Sequence, residues 1–380
     1  MIDRYKLLYL FLCVVPFFNI ITLHFSLVVV LALTALFVLL NLVIFKTQLV
    51  QKRYIYYLFI SLILLIFLIM SELHSLLAVN ISNFQAIRFF GLFIPISIFL
   101  IFMYEPKIII SRYLARILVV YIFIFSFSIS IDFFILHSAL DISLQPMYRE
   151  EDLSYMSRPF GITGQPSVNS VLLVFFYAFW LSLENKNVQY KFRLLFLVTL
   201  GVFLQGSGSG FIAYAMLLVC MQKNMNIFFK LLLLSCVGGG IVWIITSYEF
   251  LDKVSYDYIS AISYVFYSQI NDWLDLVDKS FYSFFMLGGI SSNIDFGPLY
   301  IISNVGFIYF ISFILLFIYL IIISHNHFER MSIYILLVGN LHYPVIFYMT
   351  MVFILPIFIF KVIANTNSEK EIYQSAARSL

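Results

Sequence analysis

The chain has 380 residues, of which 63% are hydrophobic and only 11% charged, with a mean hydropathy of +1.03 and a formal net charge of +3. Soluble domains are about half apolar and a quarter charged, so this composition excludes a water-soluble globular fold. The 44 Phe and 26 Tyr are suited to filling a helical bundle and anchoring it at a lipid interface.

The first apolar run, 7–23, opens behind Arg4 and Lys6 and passes within a residue or two of His24 into a second run, 25–45. No small-residue cleavage site lies between them, so the first run is read as a retained span rather than a signal peptide. Further runs follow at 54–71, 88–104 and 117–136, the last carrying Asp132 near its end. The runs are continuous, whereas barrel strands would show about ten residues of alternating polarity. Helices are therefore the expected spanning element.

A polar segment then interrupts the chain from His137 to Asn169. It holds Arg149, the acids Glu150, Glu151 and Asp152, and the closing stretch Arg158-Pro-Phe-Gly161-Ile-Thr-Gly164-Gln-Pro166-Ser-Val-Asn169. Runs at 168–183, 194–206 and 210–222 follow, with Gln205-Gly206-Ser-Gly208-Ser-Gly210 between the last two, and another run covers 228–247. The next long segment, 248–297, has Val254, Tyr258, Ile262, Val265 and Phe266 at helical spacing, with acids between the apolar positions. That pattern predicts one or two amphipathic helices, and an acidic face favours a lid packed on protein over adsorption to lipid. Runs at 298–323, 331–342 and 345–363 complete twelve candidate spans in one helical domain, 1–365. The polar tail 366–380 is expected to be disordered.

With the N-terminus inside, only Arg88, Arg149, Arg158, Lys253 and Lys279 of the 22 basic residues fall on the outer face, leaving 22 − 5 = 17 inside. This asymmetry sets both termini in the cytoplasm. The loops 137–167 and 248–297 then lie outside. Loops of such length in a compact protein are functional or disordered.

Three constellations could carry chemistry. Arg158 and Arg149 suit an anionic group, because guanidinium is a forked, permanently charged donor and Gly161 and Gly164 allow backbone to approach a ligand. The plainer reading is a salt bridge to the neighbouring acids. Pro166 fits the first turn of the following helix with Asn169 just inside it, which would place a positive helix end beside the anion. Arg88 stands at the outer end of another span. Asp295, ahead of Gly297-Pro-Leu-Tyr300 and the span containing Gly306, could act as a base or cap the helix that begins near Pro298. The glycines at 206–210 suit tight helix packing, with a backbone lip around a lipid-linked substrate as the alternative. Cys13, Cys220 and Cys236 sit in apolar runs, and His325-Asn-His327 reads as a surface pair. No metal or nucleotide motif is present, so no cofactor and no nucleic-acid partner is expected.

Together these landmarks resemble the Wzy-type O-antigen and polysaccharide polymerases, relatives of the O-antigen ligases. The resemblance rests on Arg158-Pro-Phe-Gly161 through Pro166 and Asn169, on the Gly-Ser-Gly turn at 206–210, and on Asp295 followed by Gly306 and Tyr309. It implies an all-α polytopic membrane protein of the GT-C glycosyltransferase kind, with about twelve transmembrane helices and two large periplasmic loops, in the bacterial inner membrane. It also implies a glycosyltransferase acting at the periplasmic face on an undecaprenyl-pyrophosphate-linked glycan donor and acceptor, without metal. A chain-length regulator and a flippase would be its working partners. Arg158, Asp295 and Arg149 would be catalytic, and Arg88, Gly161, Gly164, Pro166, Asn169, Tyr300 and Gly306 would bind substrate. The ligases carry histidine where this chain has Asp295, which favours polymerase over ligase. A flippase would show two similar halves with short loops, unlike this chain.

Overall fold

The computed structural model describes residues 4–24, 29–30, 32–34, 36–37, 112–136, 159–183, 188–221, 271, 274, 296–324 and 326–378. These are almost entirely helical, with no strand among them. The elements are α1 (Arg4–Val14), a 3-10 turn (Val15–Phe17), α2 (Phe18–His24), α3 (Arg112–Leu136), α4 (Pro166–Ser182), α5 (Val188–Gln205) and α6 (Gly208–Met221). After them come α7 (Gly297–Val305), α8 (Phe307–Ile323), α9 (His327–His342), a second 3-10 turn (Val345–Phe347) and α10 (Met349–Arg378).

The hub is α4. Its sequence is apolar on all sides, and every residue from Val168 to Ser182 is buried, as expected of a helix with no solvated face. Helices α3, α5, α6 and α9 surround it. Three of these neighbours present a glycine to one level of the hub. A Cβ at Gly210 of α6 would lie 2.2 Å from that of Ser170, one at Gly339 of α9 2.5 Å from Val171, and one at Gly201 of α5 2.5 Å from Leu173. Small residues let helix backbones approach this closely. The aromatic rings fill the rest: Phe176 packs edge-on against Tyr121 and Phe125 of α3, and Phe175 and Phe179 against Phe358 of α10.

These contacts orient the bundle. Helices α4, α6, α8 and α10 run one way, and α3, α5 and α9 run the other. One end therefore gathers the starts of α4, α6 and α10 with the ends of α3, α5 and α9.

Three elements differ from the sequence expectation. The run 7–23 is broken at Pro16 into α1, a 3-10 turn and α2. Proline has no N–H, so the Leu12 carbonyl four residues earlier loses its helical donor; the buried Tyr121 hydroxyl donates to it instead, at 2.6 Å. Asn19 donates its amide to the Pro16 carbonyl and to Thr350 of α10, at 3.0 and 2.7 Å. The run 298–323 is divided at Gly306 into α7 and α8. The tail expected to be disordered continues α10 as helix to Arg378. It contains no proline or glycine after Ile363, so nothing stops a helix already nucleated upstream. By length and composition, one described helix could cross a membrane unaided, Tyr113–Ile135, and Lys6–Ile21, Pro166–Ser182, Gly208–Met221, Phe307–Ile323 and Met349–Ile363 are shorter apolar helices. The runs at 54–71, 88–104 and 228–247 lie outside the described residues, as do the proposed amphipathic helices except for helical Asn271 and Leu274.

Candidate functional site

At the end of the bundle where α4 begins, the chain enters through a turn, Pro159 to Gln165, whose backbone is gripped by side chains from three helices. Asp132 of α3 is fully buried. Its Oδ2 accepts the Phe160 N–H and, at 3.1 Å, the Gly161 N–H. Asn169, in the first turns of α4, donates its Nδ2 to the Phe160 carbonyl and accepts the Thr163 N–H on Oδ1 at 3.3 Å. Gln205, the last residue of α5, donates Nε2 to the Pro159 carbonyl at 2.9 Å.

The local sequence explains the shape. Gly161 and Gly164 have φ of +61° and +76°, a left-handed conformation that residues with a Cβ rarely adopt. The Thr163 hydroxyl accepts the Gln165 N–H at 3.3 Å, and Pro166 then starts the helix. Phe160 and Ile162 are each 1% exposed and plug the turn into the bundle. Buried backbone groups must find partners, and here five of them find the side chains of Asp132, Asn169 and Gln205. Asp132 and Asn169 each hold two of these groups and Gln205 one.

Beside this turn starts α6. Gly210 packs on Ser170, so the first turns of α4 and α6 lie side by side and parallel. Two positive helix ends therefore face the same direction, a disposition that favours a negative group. The Ser207 hydroxyl meets the Gly210 N–H at 3.5 Å and the Ser209 hydroxyl at 3.1 Å. Gly208 has open space around it. Of the two readings for 206–210, tight packing applies to Gly210.

The second constellation reaches this end through α9. Gly297, at the start of α7, packs so closely on the C-terminal part of α9 that a Cβ would fall 1.9 Å from the Asn340 carbonyl oxygen. The cap position of α7 is Phe296, with extended backbone and no side-chain cap; Asp295 is not at that position. At Gly306, φ is +97° and ψ +160°, which ends α7 and starts α8. Asn304, beside the break, donates to the Tyr300 carbonyl at 2.8 Å. Tyr309 stacks on Phe347, with centroids 6.3 Å apart.

The expected substrate-binding residues Gly161, Gly164, Pro166 and Asn169 are thus one structural unit. Tyr300 and Gly306 belong to a second unit, linked to α4 through α9. Arg158, Arg149, Arg88 and Asp295 lie outside the described residues. Sequence reasoning missed Gln205 as a ligand of the turn and noted Asp132 only as an acid in an apolar run; an isolated buried carboxylate was the available signal. His342 ends α9, Asn326 caps the same helix by accepting the Phe328 N–H at 2.9 Å, and His325 is outside the described residues. No family profile, curated protein or solved structure matches this chain.

Proposed function

We propose that this chain is a polytopic inner-membrane glycosyltransferase that joins undecaprenyl-pyrophosphate-linked oligosaccharide repeat units into a surface polysaccharide. The clamped turn would form part of the pyrophosphate site. The observation that carries this reading is the grip of Asp132, Asn169 and Gln205 on the backbone that immediately follows Arg158. Buried side chains from three helices converge on one short stretch next to two positive helix ends.

Two features support the membrane setting and its sidedness. Large apolar side chains face outward, with Phe127 67%, Phe134 71%, Phe196 67% and Ile322 72% exposed, a surface suited to lipid and not to water. Every described Lys and Arg belongs to the end of the bundle opposite the turn or to the helix extending beyond it, from Arg4 and Lys6 to Lys361, Lys370 and Arg378. Under the positive-inside rule that end is cytoplasmic and the turn is periplasmic. Twelve spans, two large outer loops and a GT-C-like arrangement complete the proposed topology.

In the reaction, a hydroxyl oxygen of one repeat unit attacks the anomeric carbon of the lipid-linked chain. The bond from that carbon to the phosphate oxygen breaks, undecaprenyl pyrophosphate leaves, and the hydroxyl proton passes to a base, the role assigned to Asp295. Arg158, followed by Arg149 and Arg88, would stabilise the charge growing on the leaving pyrophosphate. Removing such a preorganised donor costs about 3–4 kcal/mol of transition-state stabilisation. The test is Arg158→Ala in cells whose surface polysaccharide depends on this chain. The protein should remain in the membrane while the ladder of long chains collapses to single repeat units; an intact ladder would refute the assignment.

A further inference from the structure

At the end of the bundle opposite the turn, a charged pair is enclosed by protein. Lys361 of α10 is 2% exposed and Glu329 of α9 1% exposed, and their Nζ and Oε1 atoms are in direct ion-paired contact. The Lys361 ammonium also donates to the Ser182 carbonyl and hydroxyl, each at 3.2 Å. Glu329 Oε2 accepts from the Ser324 hydroxyl at 3.1 Å. Asn326 Nδ2 donates to the same Ser182 carbonyl at 3.2 Å, and Arg330 Nε donates to the Ser324 carbonyl at 2.7 Å. The ends of α4 and α8, the start of α9 and the middle of α10 are thereby tied at one point.

The order of the two charges is not arbitrary. Ser182 is the last residue of α4, so the lysine sits at a helix C-terminus, where the macrodipole is negative. Glu329 lies in the first turn of α9, where it is positive. The lysine also satisfies the Ser182 carbonyl, one of the groups that the end of α4 leaves unpaired. Exchanging the two would put both charges against helix ends of their own sign, in a setting too dry to screen them.

We propose that the Lys361–Glu329 pair is a latch whose sense is set by the helix ends, and that it keeps this end of the bundle shut. That the shut end is the cytoplasmic one rests on the topology proposed above; the latch itself does not. A protein so latched works from the opposite end alone. Alternating access, by contrast, would require this end to open.

The full-length protein tests both halves of the inference. Glu329→Gln and Lys361→Met singly should each lower the thermal midpoint in detergent by roughly 5 °C or more, because each leaves a buried charge alone. The neutral double variant should recover part of that loss. The exchanged double variant, Glu329→Lys with Lys361→Glu, should recover none, whether it is purified with a low midpoint or fails to accumulate. A wild-type midpoint in the exchanged variant would overturn the helix-end argument.

For closure, Ser332→Cys, at a buried position one turn after Glu329 whose hydroxyl bonds the Phe328 carbonyl of its own helix, is introduced with Cys13, Cys220 and Cys236 replaced by alanine, and inside-out vesicles are treated with a membrane-impermeant maleimide. Ser332→Cys should stay unlabelled beside the intact pair while the exposed control Arg193→Cys is modified. Labelling of Ser332→Cys at the rate of the control would show that this end opens and would overturn the latch. Modification of Arg193→Cys only in right-side-out vesicles would invert the topology and leave the exchange result standing.

Discussion

Gly161→Ala isolates how tightly the turn is held. At φ +61°, an alanine adopts a conformation that costs about 1–2 kcal/mol for an L-residue. Its Cβ would also stand 2.7 Å from Asn169 Nδ2 and 3.1 Å from Ile129 Cγ1. Asn169 cannot retreat freely, because the same amide donates to the Phe160 carbonyl and accepts from Thr163. Losing that grip leaves a buried polar group unmet, which costs about 1–3 kcal/mol. The combined loss is therefore about 2–5 kcal/mol. Gly206 is the internal control: its φ is +56°, yet a Cβ there meets nothing within 4 Å, so Gly206→Ala should cost only the backbone part, about 1–2 kcal/mol. Equilibrium unfolding of both variants in mixed detergent micelles measures the difference. Equal losses would refute the claim that Asn169 is locked in place, and a smaller loss at 161 than at 206 would refute the described turn altogether.

Other variants probe the same packing from different sides. Gly210→Ala should destabilise the protein by about 1–3 kcal/mol through crowding, and Ser170→Gly in the same chain should restore most of the loss, since the clash is with a side chain; unfolding of the single and double variants decides. At Gly297 the obstacle is the Asn340 backbone carbonyl, so Gly297→Ala should lower expression or the thermal midpoint, and Asn340→Ala should not rescue it. Asn169→Asp replaces a donor by a carboxylate facing the Phe160 carbonyl and should cost more than Asn169→Ala, a ranking that unfolding midpoints can reverse. On the proposed function, Asp132→Asn should shorten polysaccharide chains at normal membrane abundance, as seen on a glycan ladder beside an immunoblot.

Much of the helical framework was legible because apolar runs of sufficient length have few alternatives to helix. The ends of α3, α4 and α6 fall within a few residues of expectation, and Pro166 opens α4 as its fixed φ allows. The breaks were less legible. Pro16 and Gly306 occur in long apolar surroundings that hide a local interruption, and only the neighbours supply what the interruption needs, as Tyr121 does for the Leu12 carbonyl. The site was visible as a list of unusual residues but not as an assembly. Asp132, Asn169 and Gln205 are 37 and 36 residues apart along the chain (169 − 132 and 205 − 169), and no local pattern says that all three reach one turn.

From sequence alone come the apolar composition, the helical class, the basic asymmetry and the turn chemistry of Gly161, Gly164 and Pro166, all of which are local or additive properties. Tertiary structure alone decides that α4 is the hub, that glycines on three helices close on it, that Asp132, Asn169 and Gln205 share the turn, and that Lys361 meets Glu329 at matched helix ends. The physical reason is the same in each case. A buried polar group must be satisfied wherever a partner can be brought within about 3 Å, and a helical bundle brings such partners from distant parts of the chain.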